Sequence, residues 1–168
     1  MTIHPDFLIM EELIYKPISL IIQHQKVEDE SAEYGAAEFN IDNRLIKFRV
    51  GKITPKKIGQ FVTFWKRIGK GPILPYSYND PFELLIVNIR ADNHHGLFCF
   101  PKKILCEKGI ITSDKKKGKR AMRVYPPWDK PDSPQAIKTQ AWQLNWFIEI
   151  PENRNIDFAH AKYLLCSK

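Results

Sequence analysis

No stretch of the chain approaches the ~18–20 consecutive apolar residues that a membrane helix requires. Its opening, MTIHPDFLIMEEL, also places acids where a secretion signal needs an unbroken apolar core. These two absences predict a cytosolic protein with no membrane partner. Cysteine is scarce: Cys99, Cys106 and Cys166 are odd in number and lack CxxC spacing. That argues against a disulfide framework or a zinc ribbon and predicts reduced, mostly buried thiols. GxSxG, Walker A and GxGxxG are all missing, and GKGP at 69–72 and KKKGKR at 115–120 carry glycine without phosphate-loop spacing. His94-His95 with Cys99 and Cys106 has no zinc-site spacing either. The most informative absence is of acids, since residues 43–79 contain none.

What is there instead is positive charge, segregated along the chain. The net charge of +7 over 168 residues hides a net −7 in residues 1–42, where nine acids face two lysines, so the remainder carries +14. Nine basic residues occupy 43–79, and 102–130 add ten against three acids. Single-sign blocks are commonly just solvated surface. Two of them in one small chain, both rich in aromatics, predict a polyanionic partner, because each neutralised phosphate releases condensed counterions.

Hydrophobic periodicity supplies the elements. Phe7, Met10, Leu13, Ile14, Ile18, Ile21 and Ile22 recur near the helical period, with Pro5 at the helix start, and predict a helix over 6–25 that Pro17 kinks or splits in two. An acidic loop follows at 26–35. A hairpin is predicted with strands near 36–41 and 44–53 about an Asp42-Asn43 turn. FELLIVNIR at 82–90 reads as a central strand buried on both faces, with GLFCF at 96–100 returning beside it. Residues 54–68 are ambiguous. Thr54-Pro55 and the spacing of Ile58, Phe61, Val62, Trp65 and Ile68 favour a helix, whereas Gly59 and the run FVTFW favour a turn and strand. The helix is the preferred expectation. A last helix is predicted from SPQAIKTQAWQLNWFIEI, capped by Ser133, with Ile137, Ala141, Leu144 and Ile148 facing the core and Trp142 and Trp146 off that stripe.

The runs KITPKKIGQFVTFWKR, FPKKILCEKGI, GKRAMRVYPPWDKP and KTQAWQLNWF, in that order and at that spacing, resemble the MepB-like family of small bacterial proteins. The resemblance spans roughly residues 30–148, with 36–148 as the family-like core of one domain running from 1 to 168. It implies an α/β (α+β) fold, a mixed central sheet flanked by helices, similar to the PD-(D/E)XK (restriction-endonuclease-like) nucleases. It also implies binding of nucleic acid.

A nuclease of that kind needs an acid two positions before a lysine on a central strand, to hold Mg²⁺ and steady the attacking water. Here Asn88 and Arg90 stand at those positions. An amide is a poor Mg²⁺ ligand and arginine cannot serve as a base. Asp80 and Glu83 approach on the same run, and Glu38 with Asn40 on another, but none has a lysine two residues on. The expectation is a nuclease-like scaffold that grips DNA or RNA, single strands included, without cutting it and without a cofactor or metal.

Phosphates would be held by Lys52, Lys56, Lys57, Lys66 and Arg67 in the first block. The second block would supply Lys102, Lys103, Lys116, Lys117, Arg120 and Arg123, with Lys138 beyond it. Bases would stack on Tyr125, Trp128 or Trp142; prolines stiffen RVYPPWDKP, so less entropy is lost when its rings engage. Two alternatives stand beside this reading. One is a Mg²⁺-dependent nuclease using Asp80 or Glu83 with Arg90; the other is a protein-interaction module in which the acidic N-terminal segment docks on the basic face of another copy.

Overall fold

A computed structural model describes residues 2–166. Helix α1 (Pro5–Met10) starts at Pro5 and runs into a π-helical turn, Glu11–Tyr15, that buries Ile14 and Tyr15. Helical structure ends there, not near residue 25. After Pro17 the chain turns through Ser19 (φ 61°), and β1 (Ile22–Val27) pairs antiparallel with β2 (Ala37–Ile41). The apolar spacing of 6–25 thus belongs to two kinds of element, because the open edge of β2 offers backbone partners that a helix interrupted by proline cannot supply. Within the expected acidic loop, a 3₁₀ turn (Ala32–Tyr34) lies between the left-handed residues Ser31 and Gly35.

The expected hairpin is present. β2 and β3 (Arg44–Val50) meet across Asp42 and Asn43, at φ 49° and 66°, the positive values that a tight two-residue hairpin turn requires.

From β3 the chain crosses to a small three-stranded sheet. β4 (Lys52–Thr54) and β5 (Lys57–Thr63) form a ribbon, followed by the short pair β6 (Trp65–Arg67) and β7 (Ile73–Pro75). The helix expected over 54–68 is absent. Gly59 shows why: its φ is +85°, and a side chain there would come within 2.7 Å of the Tyr125 ring. The β-rich run FVTFW instead pairs with the later strand β10 (Ala121–Val124), in register Phe61↔Arg123 and Val62↔Met122.

β8 (Phe82–Ala91) and β9 (His94–Pro101) form the long central hairpin, with Leu84 to Ile89 buried as the sequence predicts. Then come α2 (Lys102–Glu107), β10 (Ala121–Val124), α3 (Pro134–Gln143), a 3₁₀ turn (Leu144–Trp146), β11 (Phe147–Glu149) and α4 (Phe158–Cys166). Ser133 caps α3 as expected, its hydroxyl accepting from the Ala136 N–H at 3.1 Å. The expected core stripe of that helix is not observed. Ile137 is 51% exposed and Ile148 lies in β11, while the inward side chain is Gln143.

The main sheet has the order β1-β2-β3-β8-β9-β11, antiparallel except for the central β3–β8 pair. Alternation along the strands gives it two covered faces. Against one pack α1 and α4, with Phe7 set edge-on to Phe39 and Phe48. Against the other pack the small sheet and α2, around Val62, Phe64, Leu85, Val87 and Phe98. Each fully buried side chain of this kind contributes about 1.5–3 kcal/mol, so both faces are needed to hold the mixed sheet. Among the described residues no helix is long and apolar enough to cross a membrane.

Candidate functional site

The fold sorts the basic residues into two populations, those neutralised by acids and those left bare. Most of the neutralising acids come from the N-terminal segment, which folds back over β3 and the small sheets. Lys47 Nζ meets Glu28 at 2.5 Å and Glu38 at 2.7 Å, and Arg49 Nη1 meets the other Glu28 oxygen at 2.7 Å. Burial would raise the Glu28 carboxyl, but Arg49 and Lys47 more than reverse this and hold it below the usual carboxylate range. Arg49 is fully buried, donating through Nε to the Thr63 carbonyl with its guanidinium over Phe64, while Nη2 has no partner among the described residues.

The same segment reaches two residues expected to hold phosphate, and Asp80 a third. Arg67 pairs with Glu30 at 2.7 Å, and Glu30 also accepts from the Trp65 indole at 2.7 Å. Lys52 lies 3.7 Å from Glu33, with its ammonium over Tyr34. Lys66 is held by Asp80 at 2.7 Å. Lys102 is spent differently, donating to the carbonyls of Tyr78 and Asp80. With Glu28, Glu30, Glu33 and Glu38 engaged inside their own chain, little of the acidic segment is left to dock on another copy.

The bare population gathers around β10 and the turn of the β4–β5 ribbon. A cleft of about 640 Å³ lies between the β4–β5 ribbon, β10, the end of α2 and the start of α3. Lys56, Lys57, Lys108, Lys116 and Lys119 line it without an ion pair to any described residue, and Asp132 is its one lining acid among those residues. Arg123 joins them, its guanidinium fixed by Thr54 Oγ1 at 3.0 Å and the Gly59 carbonyl at 3.2 Å.

Tyr125 and Trp142 line the same cleft. Trp142 leans on Phe100, ring centroids 5.5 Å apart, and carries the Lys108 ammonium 5.7 Å over its ring. Gln143 sets this wall in place. Its amide accepts from the Tyr125 N–H at 2.8 Å and donates to the Arg123 carbonyl at 3.0 Å, while Gln140 donates to the carbonyls of Pro126 and Asp129.

The basic loop 113–120 is pinned at three points. Ser113 N–H donates to the Lys116 carbonyl, Gly118 N–H to Thr112 Oγ1, and Lys119 N–H to the Ile110 carbonyl, all at 2.9 Å. Gly118 allows this close seat, since a side chain there would meet the Thr112 backbone at 2.6 Å.

Of the other expected residues, Lys117 and Arg120 line a smaller neighbouring hollow of about 340 Å³. Lys138 is exposed on α3 outside the cleft lining. Trp128 is also outside it, one face stacked by His94 at 4.7 Å and 10° and its indole N–H buried without a partner among the described residues. Sequence reasoning passed over Lys108 and Lys119 as site residues. Both stood in the basic runs, and only the fold shows that no acid among the described residues reaches them.

The nuclease trio does not converge. Asp80 and Glu83 lie at the start of β8 and Arg90 near its end, about 23 Å from Glu83 at 3.3 Å per residue. Arg90 instead pairs with Asp6 at 2.8 Å, Asp6 accepts from the Asn88 amide at 2.7 Å, and the Asn88 carbonyl oxygen faces His95 Nε2 at 2.8 Å. The position where a nuclease needs a metal-binding acid therefore serves as a strut between α1, β8 and β9. The described residues contain no group of three or more His, Cys, Asp or Glu side chains placed to hold a metal ion.

Fold and site together define a small α+β protein with a mixed six-stranded sheet and a bare basic cleft over a side sheet. The chain belongs to the MepB-like family, whose sequence model matches residues 28–149. It is similar to a solved structure described as the crystal structure of MepB, with a TM-score of 0.75 and 30% identity over 87% of this chain and 97% of that one. No curated protein matches the chain.

Proposed function

We propose that the chain binds nucleic acid through the cleft between the β4–β5 ribbon and α3, without cleaving it. The observation that carries this is the sorting of charge. Folding neutralises Lys47, Lys52, Lys66 and Arg67 with acids, yet leaves five lysines bare around one concavity with an arginine and two aromatic rings. Gathering like charges costs stability unless a counter-charge arrives. The partner must therefore be polyanionic and offer flat apolar faces for Trp142 and Tyr125, which describes phosphates alternating with bases. Ser133, Gln135 and Ala136 bring the N-terminal turn of α3 to the same wall, adding its dipole to the field.

The dispersal of Asp80, Glu83 and Arg90 supports grip without cleavage. Binding is tested with labelled single-stranded and duplex DNA and RNA at several salt concentrations. About six engaged phosphates give a slope of log affinity on log salt near −4 for single strands. A slope between 0 and −1 would overturn the polyanion reading. Incubation with Mg²⁺ or Mn²⁺ is expected to leave the strands intact, and cleavage that disappears in Asp80→Ala would reinstate the nuclease.

A further inference from the structure

The acidic turn between β1 and β2 lies along one side of the small sheets. Phe61, Thr63, Trp65 and Arg67, every second residue through β5 and β6, are on the opposite side of their strands from the buried Val62 and Phe64. Each of the four meets a residue of the turn 30–34. The Tyr34 ring sits 6.2 Å from that of Phe61, Thr63 Oγ1 donates to Ser31 Oγ at 2.7 Å, and Glu30 accepts from both the Trp65 indole and Arg67 at 2.7 Å.

This covered side is continuous with the basic cleft. Lys52, Phe61 and Arg123 are cross-strand neighbours in one row over β4, β5 and β10, so their side chains share a side of the sheet. Arg123 lines the cleft and lays its guanidinium 5.7 Å over the Phe61 ring. Lys52, at the other end of the row, is taken by Glu33.

Resting on the reading above, we propose that residues 30–34 are an autoinhibitory strap. Its carboxylates occupy phosphate positions on Lys52 and Arg67, and a polyanion entering the cleft displaces it to extend over β5 and β6.

Three features make the strap displaceable. Its backbone bonds travel with it, Tyr34 N–H donating to the Ser31 carbonyl and Gly35 N–H to the Ala32 carbonyl. Its neck stays closed by Glu28 N–H on the Ala36 carbonyl, and Lys47 and Arg49 anchor the Glu28 side chain. Both of its bends are left-handed, Ser31 at φ 63° and Gly35 at 60°, and a serine is strained there and gains by leaving. Finally, the ion pairs that seat the acids are at the surface, where such pairs add little stability; the Glu33 side chain is 68% exposed and that of Lys52 45%. Ser31 and Tyr34, both buried, keep the strap down until a ligand competes for the cations.

The experiment locks the strap. A Ser31→Cys/Thr63→Cys chain carries two thiols where the hydroxyls now touch, and closure by diamide is read as the loss of two free thiols. The probes are oligo(dT) of about twelve nucleotides and inorganic polyphosphate, which has phosphates but no bases. The locked chain is expected to bind both about tenfold more weakly than the same chain reduced, with a salt slope shallower by about 1.4, because two phosphate contacts are denied. Equal affinity and slope in the locked and reduced states would overturn the proposal. A second pair of variants does not depend on disulfide closure. Glu30→Gln/Glu33→Gln is expected to bind both probes about tenfold more tightly, whereas Glu11→Gln/Glu12→Gln, the same change of net charge on α1, should gain less than twofold. An equal gain in the two variants would reduce the strap to its share of the overall field and overturn its role. Binding of polyphosphate without oligo(dT), still governed by the lock, would keep the strap and remove the nucleic-acid reading, and failure of both probes to bind any form at low salt would remove the two together.

Discussion

His95 is buried at 4% exposure, with Nε2 on the Asn88 carbonyl oxygen and Nδ1 without a partner among the described residues. Burial, with Arg90 and Arg154 nearby, lowers its pKa to about 4 against the opposing pull of Asp6, so the ring is neutral at pH 7 and donates from Nε2. The sign of the consequence is fixed. The unfolded chain takes up the proton first, near pH 6.5, so stability is lost as the pH falls from there to about 4, by roughly 2 kcal/mol. Glu28 gives a second, lower window. Held below the ordinary carboxylate range, it contributes stability above that range and loses it as the pH falls through its own. Urea midpoints between pH 7 and pH 4.5 should therefore fall less in His95→Gln, which keeps an amide donor, than in the unmodified chain. Equal slopes would mean that His95 titrates normally.

What could be read from the sequence depended on whether an element's partners were close along the chain. The hairpins β2–β3 and β8–β9 were legible, because alternation and Asp42-Asn43 are local signals. So was the cap of α3. The ribbon β4–β5 was misread as a helix because its decisive partner, β10, lies about sixty residues further on, and the Tyr125 ring that needs Gly59 in a left-handed conformation comes with it. The end of α3 was misread for a related reason. Its inward residue is a glutamine, which hydrophobic periodicity ignores, although Gln143 serves β10 as an extra strand would, taking one N–H and giving one. Gln143→Leu fits the volume but leaves the Tyr125 N–H and Arg123 carbonyl unsatisfied, and should cost about 2–4 kcal/mol in chemical denaturation. A cost under 0.5 kcal/mol would mean that water takes over both bonds. The charge blocks were legible as blocks, but which lysines stay bare depends on where Glu28, Glu30, Glu33 and Asp80 land.

Across the molecule, the parallel pairing of β3 with β8 sets an order of assembly. Residues 51–81 separate the two strands, and closing a loop of that length costs about 2–3 kcal/mol in entropy beyond the shortest closures before any pairing rewards it. During synthesis β1, β2 and β3 can meet early, and the outer edge of β3 must then wait, unpaired, for β8 to emerge. An open edge next to Phe39, Ile46 and Phe48 invites pairing between chains. Lys47 and Arg49 lie on that waiting strand and point inward, a placement that discourages a second chain from adding to it; in the finished fold Glu28 pairs with both. The buried ion cluster thus acts as a guard on an incomplete fold as well as a link in the finished one. Replacing Lys47 and Arg49 with leucine should lower the refolding yield increasingly as protein concentration rises, while light scattering grows in the first moments after dilution from denaturant. A yield independent of concentration would leave the cluster with only its role in the finished fold.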